Sequence, residues 1–172
     1  MGELSTSSYI SIRLKQEFET ISLFHIHIDG VRMYSILIMT NTIVVIALTY
    51  FISKYILKMN TEKALLIGLI LYVIGYSGIT YLNELSLLII FMIIATFGEM
   101  IYSPIFGEQR YKVIPADKRG TYSAVNALSF HFLARFGIIL GVFLNSVGMT
   151  IYMFVLLMVG SFLLYGGVRQ FN

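Results

Sequence analysis

Apolar stretches of about 20 residues recur along this chain, and they constrain its fold more than any other feature of the sequence. A helix rises about 1.5 Å per residue, so a stretch of this length crosses a hydrocarbon core about 30 Å thick. Such stretches occur at residues 33–53, 64–82, 85–106, 122–144 and 149–168. Backbone groups in lipid must be satisfied internally, and the short alternating strands of a barrel are absent from the sequence. The sequence therefore predicts an all-α, polytopic membrane helical bundle with five complete transmembrane helices.

The composition excludes an ordinary soluble domain. Of the 172 residues, 58% are hydrophobic and 12% are charged, whereas a typical soluble domain has about 25% charged residues. The chain has no cysteine, which excludes disulfides, thiol catalysis and cysteine zinc sites. The 12 Lys and Arg residues are scattered among apolar blocks and form no basic stripe for nucleic acid. We expect the lipid bilayer as a partner, and no nucleic acid, metal or cofactor.

Residues 1–31 differ from the rest of the chain. Their apolar patches are interrupted by charged residues, among them Arg13, Glu17 and Asp29, so no further complete span fits there. Glu3 stands where a signal peptide needs positive charge. We expect residues 1–31 to form an extracellular segment with the remnant of a helix, and residues 32–172 to form the transmembrane bundle.

Lys and Arg residues fall unequally on the two sides of a five-span chain. One side receives eight of them, namely Lys54, Lys58, Lys63, Arg110, Lys112, Lys118, Arg119 and Arg169. The other side receives Arg13, Lys15 and Arg32. Because positively charged loops stay in the cytoplasm, this count predicts a multi-pass protein of the cell membrane with a cytoplasmic C-terminus. The first 31 residues would then cross the bilayer without a signal or a preceding helix, which indicates an upstream partner.

Three ionisable residues lie inside expected spans, namely Glu99 in the third and His131 and Arg135 in the fourth. A charge at a helix centre costs about 2.5 to 3.5 kcal/mol on insertion scales, so such residues usually face a cavity, a partner or a proton path. Counted along antiparallel helices, Glu99 and His131 are nearly level, and Arg135 lies one turn further out. We expect these side chains, with Asn41 of the first span, to line a transport cavity that binds protons. The alternatives are a buried Glu–Arg pair that only locks two helices and an Asn41 that bonds across a helix interface.

Small residues and one proline indicate how the helices pack. Gly68 and Gly75 are spaced at whole turns in the second span, and Gly137 and Gly141 form a G-x-x-x-G in the fourth. Both patterns allow helices to approach closely. Pro104, near the inner end of the third span, predicts a kink there.

A short serine motif raises the question of enzymatic activity. Gly75-Tyr76-Ser77-Gly78 has the G-x-S-G form found around the serine of intramembrane rhomboid proteases, and His131 would be its base. The glycine-spaced context expected after the histidine is missing, and no loop supplies an oxyanion site. We therefore expect a protein that is not an enzyme.

Two runs of sequence carry a family resemblance. Gly-Glu-Met-Ile-Tyr-Ser-Pro ends at Pro104, and Pro-Ala-Asp-Lys-Arg-Gly-Thr-Tyr begins at Pro115. Together they resemble the second half of bacterial multidrug-efflux-type members of the major facilitator superfamily. Those members carry Gly-Glu-x-(Ile/Leu)-x-x-Pro on their tenth helix and Pro-x-x-x-Arg-Gly-x-Tyr in the loop before the eleventh. Thr40-Asn41 and the run 68–76 also look like that family's eighth and ninth helices.

The resemblance implies a fold and a function. The five spans would be the family's last five helices, residues 8–18 the tail of the helix before them, and the N-terminal six-helix half a separate partner. The implied function is proton-coupled efflux of small amphiphilic substrates, with no cofactor besides the proton as coupling ion. Pro115, Asp117, Arg119 and Gly120 would form the cytoplasmic loop motif, and Arg119 would cap helix ends or pair with acidic groups of the other half.

Two residues fall outside the resemblance, and two alternative functions remain open. His131 and Arg135 match no motif of the family, so their roles rest on depth alone. The chain could instead be a non-transporting membrane interaction subunit that packs through its glycine faces, or an inactive truncated remnant.

Overall fold

The computed structural model describes residues 2–23, 26–56, 59–125, 127–128, 139, 143–144 and 146–171. These residues are predominantly helical, in agreement with the all-α expectation. The long helices are α1 (Gly2–Glu17), α2 (Gly30–Ile56), α3 (Thr61–Tyr81), α4 (Leu85–Val113) and α5 (Ser146–Phe171). After α4 the chain makes a 3₁₀ turn at Ala116–Lys118 and continues as a helix through residues 119–125.

Within the described residues, four helices are long and apolar enough to cross a membrane. They are Gly30–Ile52, Thr61–Tyr81, Leu85–Gln109 and Val147–Gly167. These helices overlap the expected spans at 33–53, 64–82, 85–106 and 149–168, and they fit a multi-pass membrane protein. The expected span at 122–144 lies largely outside the described residues, so the count of five spans stays a prediction.

A small β-hairpin between α1 and α2 was not predicted from the sequence. Strands β1 (Ile21–Leu23) and β2 (Ile26–Ile28) pair antiparallel, with Ile21 opposite Ile28. Ile28 is buried with Phe18 in the main core. Ile21 and Ile28 therefore lie on the same face of the hairpin, and both pack against the hydrophobic core. The hairpin connects α1 to the start of α2.

Helices α3 and α4 form the central pair, and glycines bring their backbones into contact. A Cβ atom at Gly75 would lie 2.4 Å from the backbone nitrogen of Ala95, and one at Gly98 would lie 2.3 Å from that of Tyr72. A Cβ at Gly68 would lie 2.9 Å from the backbone nitrogen of Tyr102. No side chain larger than hydrogen fits at these positions without separating the helices.

Helix α2 packs on α4 and α1 through one narrow face. Met33 and Leu37 are buried, whereas Met39, Ile46 and Tyr50 are among the most exposed apolar side chains. Only 6% of the most apolar stretch of α2 is buried, compared with 56% of that of α3. The outer face of α2 therefore requires lipid or another protein surface against it.

Arg13 of α1 is buried at the end of α3. Its guanidinium donates to the backbone carbonyls of Ile79 (3.0 Å), Tyr81 (3.2 Å) and Leu82 (2.5 Å), and to Oδ1 of Asn83 (2.9 Å). The last carbonyls of a helix have no partner within the helix, and a cation there is favoured by the helix dipole. Burial lowers the pKa of Arg13, and the Glu17 carboxylate 3.7 Å away raises it. The guanidinium stays protonated at neutral pH and fixes α1 to the turn between α3 and α4.

Candidate functional site

Glu99 lies beside a groove between α2 and α4. The groove has a volume of about 330 Å³ and is lined by Val45, Thr49, Ile52, Glu99, Met100, Ser103 and Pro104. The Glu99 side chain is half-buried, and its Oε2 atom is fully buried. Glu99 belongs to the apolar stretch Leu85–Gln109. An ionisable group inside such a stretch is a functional-site hypothesis by default.

Helical periodicity explains which side chains line this groove. Glu99 and Ser103 are one turn apart on α4, and Val45, Thr49 and Ile52 follow one face of α2. The groove therefore combines one carboxylate and two hydroxyls with aliphatic walls. Sequence analysis identified Glu99 but missed Thr49 and Ser103. The four-residue spacing of Glu99 and Ser103 was the available signal for the serine.

Pro104 interrupts the backbone hydrogen bonds of α4 beside the groove. In an α-helix, the amide of residue 104 would donate to the carbonyl of residue 100, and proline cannot do so. Met100 and Pro104 both line the groove, and α4 continues past Pro104 to Val113. The helix thus leaves the Met100 carbonyl without a bond from residue 104. Whether the helix kinks there stays a prediction.

A line of hydroxyls on α2 leads toward the same groove. Ser35, Thr42 and Thr49 are exposed and spaced by seven residues, which places them within about 40° of one another around the helix. Their hydroxyls donate to the carbonyls four residues earlier, at 3.1 Å for Ser35 and 3.0 Å for Thr42. Met39, Ile43 and Tyr50 lie on the other edge of this exposed face. The exposed surface of α2 therefore has a hydroxyl edge near Glu99, on which Val31 and Ile38 are also exposed, and a second, apolar edge.

The other expected cavity residues are placed as follows. Asn41 is half-buried on α2 and is not among the residues that line the Glu99 groove. His131 and Arg135 lie outside the described residues, and so do Gly137 and Gly141. The grouping of Glu99 with an imidazole and a guanidinium stays a prediction.

The loop motif lies beyond the end of α4, apart from the Glu99 groove. The Pro115 carbonyl accepts a bond from the Lys118 amide at 3.0 Å, which closes the 3₁₀ turn that contains Asp117. Arg119 follows this turn, and its guanidinium carbon lies 5.2 Å from the centre of the Tyr111 ring. A Cβ atom at Gly120 would meet open space.

The two glycines of the G-x-S-G motif lie at the α3–α4 interface. Gly75 packs against Ala95, and Gly78 packs against the Phe91 ring. Ser77 is half-buried, and no hydrogen-bond partner of its Oγ is found in the part of the chain that the structure describes. The described residues therefore offer this hydroxyl no base.

Comparison with known proteins adds no family assignment. No protein-family model matches the sequence, and no curated protein matches it closely enough to count as a relative.

Proposed function

We propose that this chain is the C-terminal part of a major-facilitator-type transporter that exports small amphiphilic compounds in exchange for protons. The single observation that carries the proposal is the Glu99 carboxylate, which lies within an apolar helix and borders a groove. A carboxylate at such a depth is costly in lipid, so it usually faces a cavity, a partner or a proton path. The resemblance of the sequence around Glu99 and Arg119 to this class of carrier supports the same reading.

The lining of the groove suits a proton or an amphiphilic cation. Glu99 supplies the negative charge, and the hydroxyls of Thr49 and Ser103 supply neutral oxygens. Val45 and Ile52 give the groove an aliphatic wall for the apolar part of a substrate. A site that binds either a proton or a cationic substrate at one carboxylate makes the two exchange, since each displaces the other.

The proposal includes a partner, the N-terminal six-helix half of the carrier. In such carriers the substrate site lies between two halves that rock against each other. In this arrangement, the side of α2 that faces the other half must be unburied in this chain and polar beside the groove. The sparse burial of α2 and its hydroxyl edge meet these two needs. We assign the remaining, apolar edge of α2 to lipid.

The direct test replaces Glu99 in a carrier that contains both halves. We expect Glu99→Gln to abolish proton-coupled efflux, because the amide has nearly the shape of the carboxylate but binds no proton in this range. Substrate efflux and substrate-induced proton movement would be measured together in vesicles with an imposed pH gradient. Glu108→Gln is the matched control, because Glu108 is exposed and ion-paired to Lys112 on the same helix. Unchanged coupled efflux by Glu99→Gln, at equal protein levels, contradicts the proposal.

A non-transporting interaction subunit, or an inactive remnant, is the second candidate. The large exposed apolar face of α2 favours it, because such a face also suits a permanent protein partner. The glycines of α3 do not serve this role, since they already pack against α4. Co-purification with an N-terminal-half polypeptide and recovery of efflux supports the transporter, whereas a stable oligomer of this chain alone without transport supports the subunit.

A further inference from the structure

A second pocket lies where the chain turns after α4. Its volume is about 210 Å³, and it is lined by Gly107, Tyr111, Ile114, Arg119 and Ser123. Gly107 and Tyr111 are one turn apart on α4, and Arg119 and Ser123 are one turn apart on the helix that follows. Two helix faces thus meet across the turn, with Ile114 between them.

Three side chains of this pocket are hydrogen-bond donors, and one of them, Arg119, is positively charged. Arg119, Tyr111 and Ser123 all present N–H or O–H groups, and none of the described residues that line the pocket is acidic. Glu108, the acidic residue next to Gly107, is ion-paired with Lys112 at 2.9 Å. The pocket is therefore suited to an anion with several oxygens.

Arg119 is oriented by the aromatic ring beside it. Its guanidinium lies over the Tyr111 ring at 5.2 Å from the centroid, a distance typical of a cation–π contact. The guanidinium carries five N–H donors in a fixed planar fork. That fork matches the oxygens of a phosphate in a two-bond arrangement.

The pocket lies at the level of the membrane surface. The apolar stretch of α4 ends at Gln109, so Gly107 lies in its last turn and Tyr111 lies just beyond it. Tyrosine is enriched at this level because its ring is apolar and its hydroxyl is polar. A Cβ atom at Gly107 would meet nothing within 4 Å, so the pocket has open space at Gly107, which we call its floor.

We infer that this pocket binds the phosphate of an anionic phospholipid. The headgroup phosphate is held by Arg119, Tyr111 and Ser123, and the glycerol and the first methylenes lie along Gly107 and Ile114. Neither the transport proposal nor the orientation of the chain is needed for this inference. It requires only that α4 crosses a bilayer.

Native mass spectrometry of the purified full chain in detergent tests the inference. The chain is titrated with phosphatidylglycerol and with phosphatidylcholine of the same acyl chains. We expect the wild type to retain phosphatidylglycerol about tenfold more strongly, because the choline cation of phosphatidylcholine offsets the attraction of its phosphate to Arg119. Arg119→Gln abolishes the preference. Lys118→Gln, which removes the same charge from the same loop but outside the pocket, preserves it.

A second variant tests the pocket by shape alone. Gly107→Leu fills the floor without changing any charge, and the open space at Gly107 allows the substitution without a clash. We expect it to lower retention of phosphatidylglycerol as Arg119→Gln does, with helical content unchanged by circular dichroism.

Three outcomes overturn the inference. Equal losses from Arg119→Gln and Lys118→Gln mean that only the general surface charge attracts the lipid. Complete displacement of the lipid by inorganic phosphate means that the pocket takes a free anion. Loss of lipid binding when an N-terminal-half polypeptide is added, with Arg119 crosslinked to that polypeptide, means that the pocket is a protein contact.

Discussion

At the scale of single residues, Arg13 differs most from what its sequence context suggests. In a charge count it is one more polar residue at the edge of the membrane, yet its exposure is 1%. Its partners are the carbonyls of Ile79, Tyr81 and Leu82 and the side chain of Asn83, some 66 to 70 residues away along the chain. Such a contact depends on three elements meeting in space, so no local pattern predicts it.

We expect Arg13→Gln to destabilise the folded chain by about 2 to 4 kcal/mol, because buried carbonyls lose charged donors. Unfolding by denaturant in detergent micelles measures the effect. Lys15→Gln is the control, since Lys15 is exposed on the same helix and a change there is expected to cost less than about 0.5 kcal/mol. Equal effects from both substitutions would show that the Arg13 bonds contribute nothing specific.

At the scale of elements, the contact between α3 and α4 determines where Glu99 lies. Gly98, next to Glu99, packs against the backbone of Tyr72. This contact turns one side of α4 toward α3 and leaves Glu99 toward α2. The glycine spacing in the sequence predicted close packing, but it did not say which helix would be the partner.

Replacing Gly75 by leucine tests this contact. Its Cβ would lie 2.4 Å from the backbone nitrogen of Ala95, so the helices must separate, and we expect a loss of about 3 kcal/mol, the upper end for overpacking. Gly160→Leu is the matched control, because a Cβ there meets nothing within 4 Å. Thermal unfolding of both variants in the same detergent compares them. A Gly75→Leu protein as stable as the control would contradict the close approach of α3 and α4.

At the scale of the whole molecule, the sequence predicted the helices well and their assembly poorly. Lengths of apolar sequence gave α2, α3, α4 and α5 nearly in full, because a bilayer sets the length of a spanning helix. The hairpin and the Arg13 contacts were missed, since both depend on residues brought together by the fold. Glu99 was identified from its cost in lipid, but its groove needed the position of α2. The clustering of Glu99 with His131 and Arg135 stays a prediction.

Cysteine accessibility tests how the whole carrier is assembled around α2. The chain has no cysteine, so single cysteines at Thr42 and at Ile43 report on the two edges of the exposed face. With the N-terminal half present, we expect Thr42→Cys to react with a membrane-impermeant thiol reagent and Ile43→Cys to resist it. The first position would face a watery cavity and the second would face lipid. Equal reactivity at both positions would contradict the division of α2 into two edges.

The length of α4 has a mechanical consequence. Glu99 and Gly107 belong to one continuous helix, about 12 Å apart along its axis at 1.5 Å per residue. A tilt of α4 that widens the groove at its middle must also displace the floor of the headgroup pocket at its end. Pro104 lies between these two residues, and α4 bends most easily there because proline cannot donate a backbone hydrogen bond. A rigid tilt of α4 therefore moves both locations together, whereas a bend at Pro104 lets them move separately.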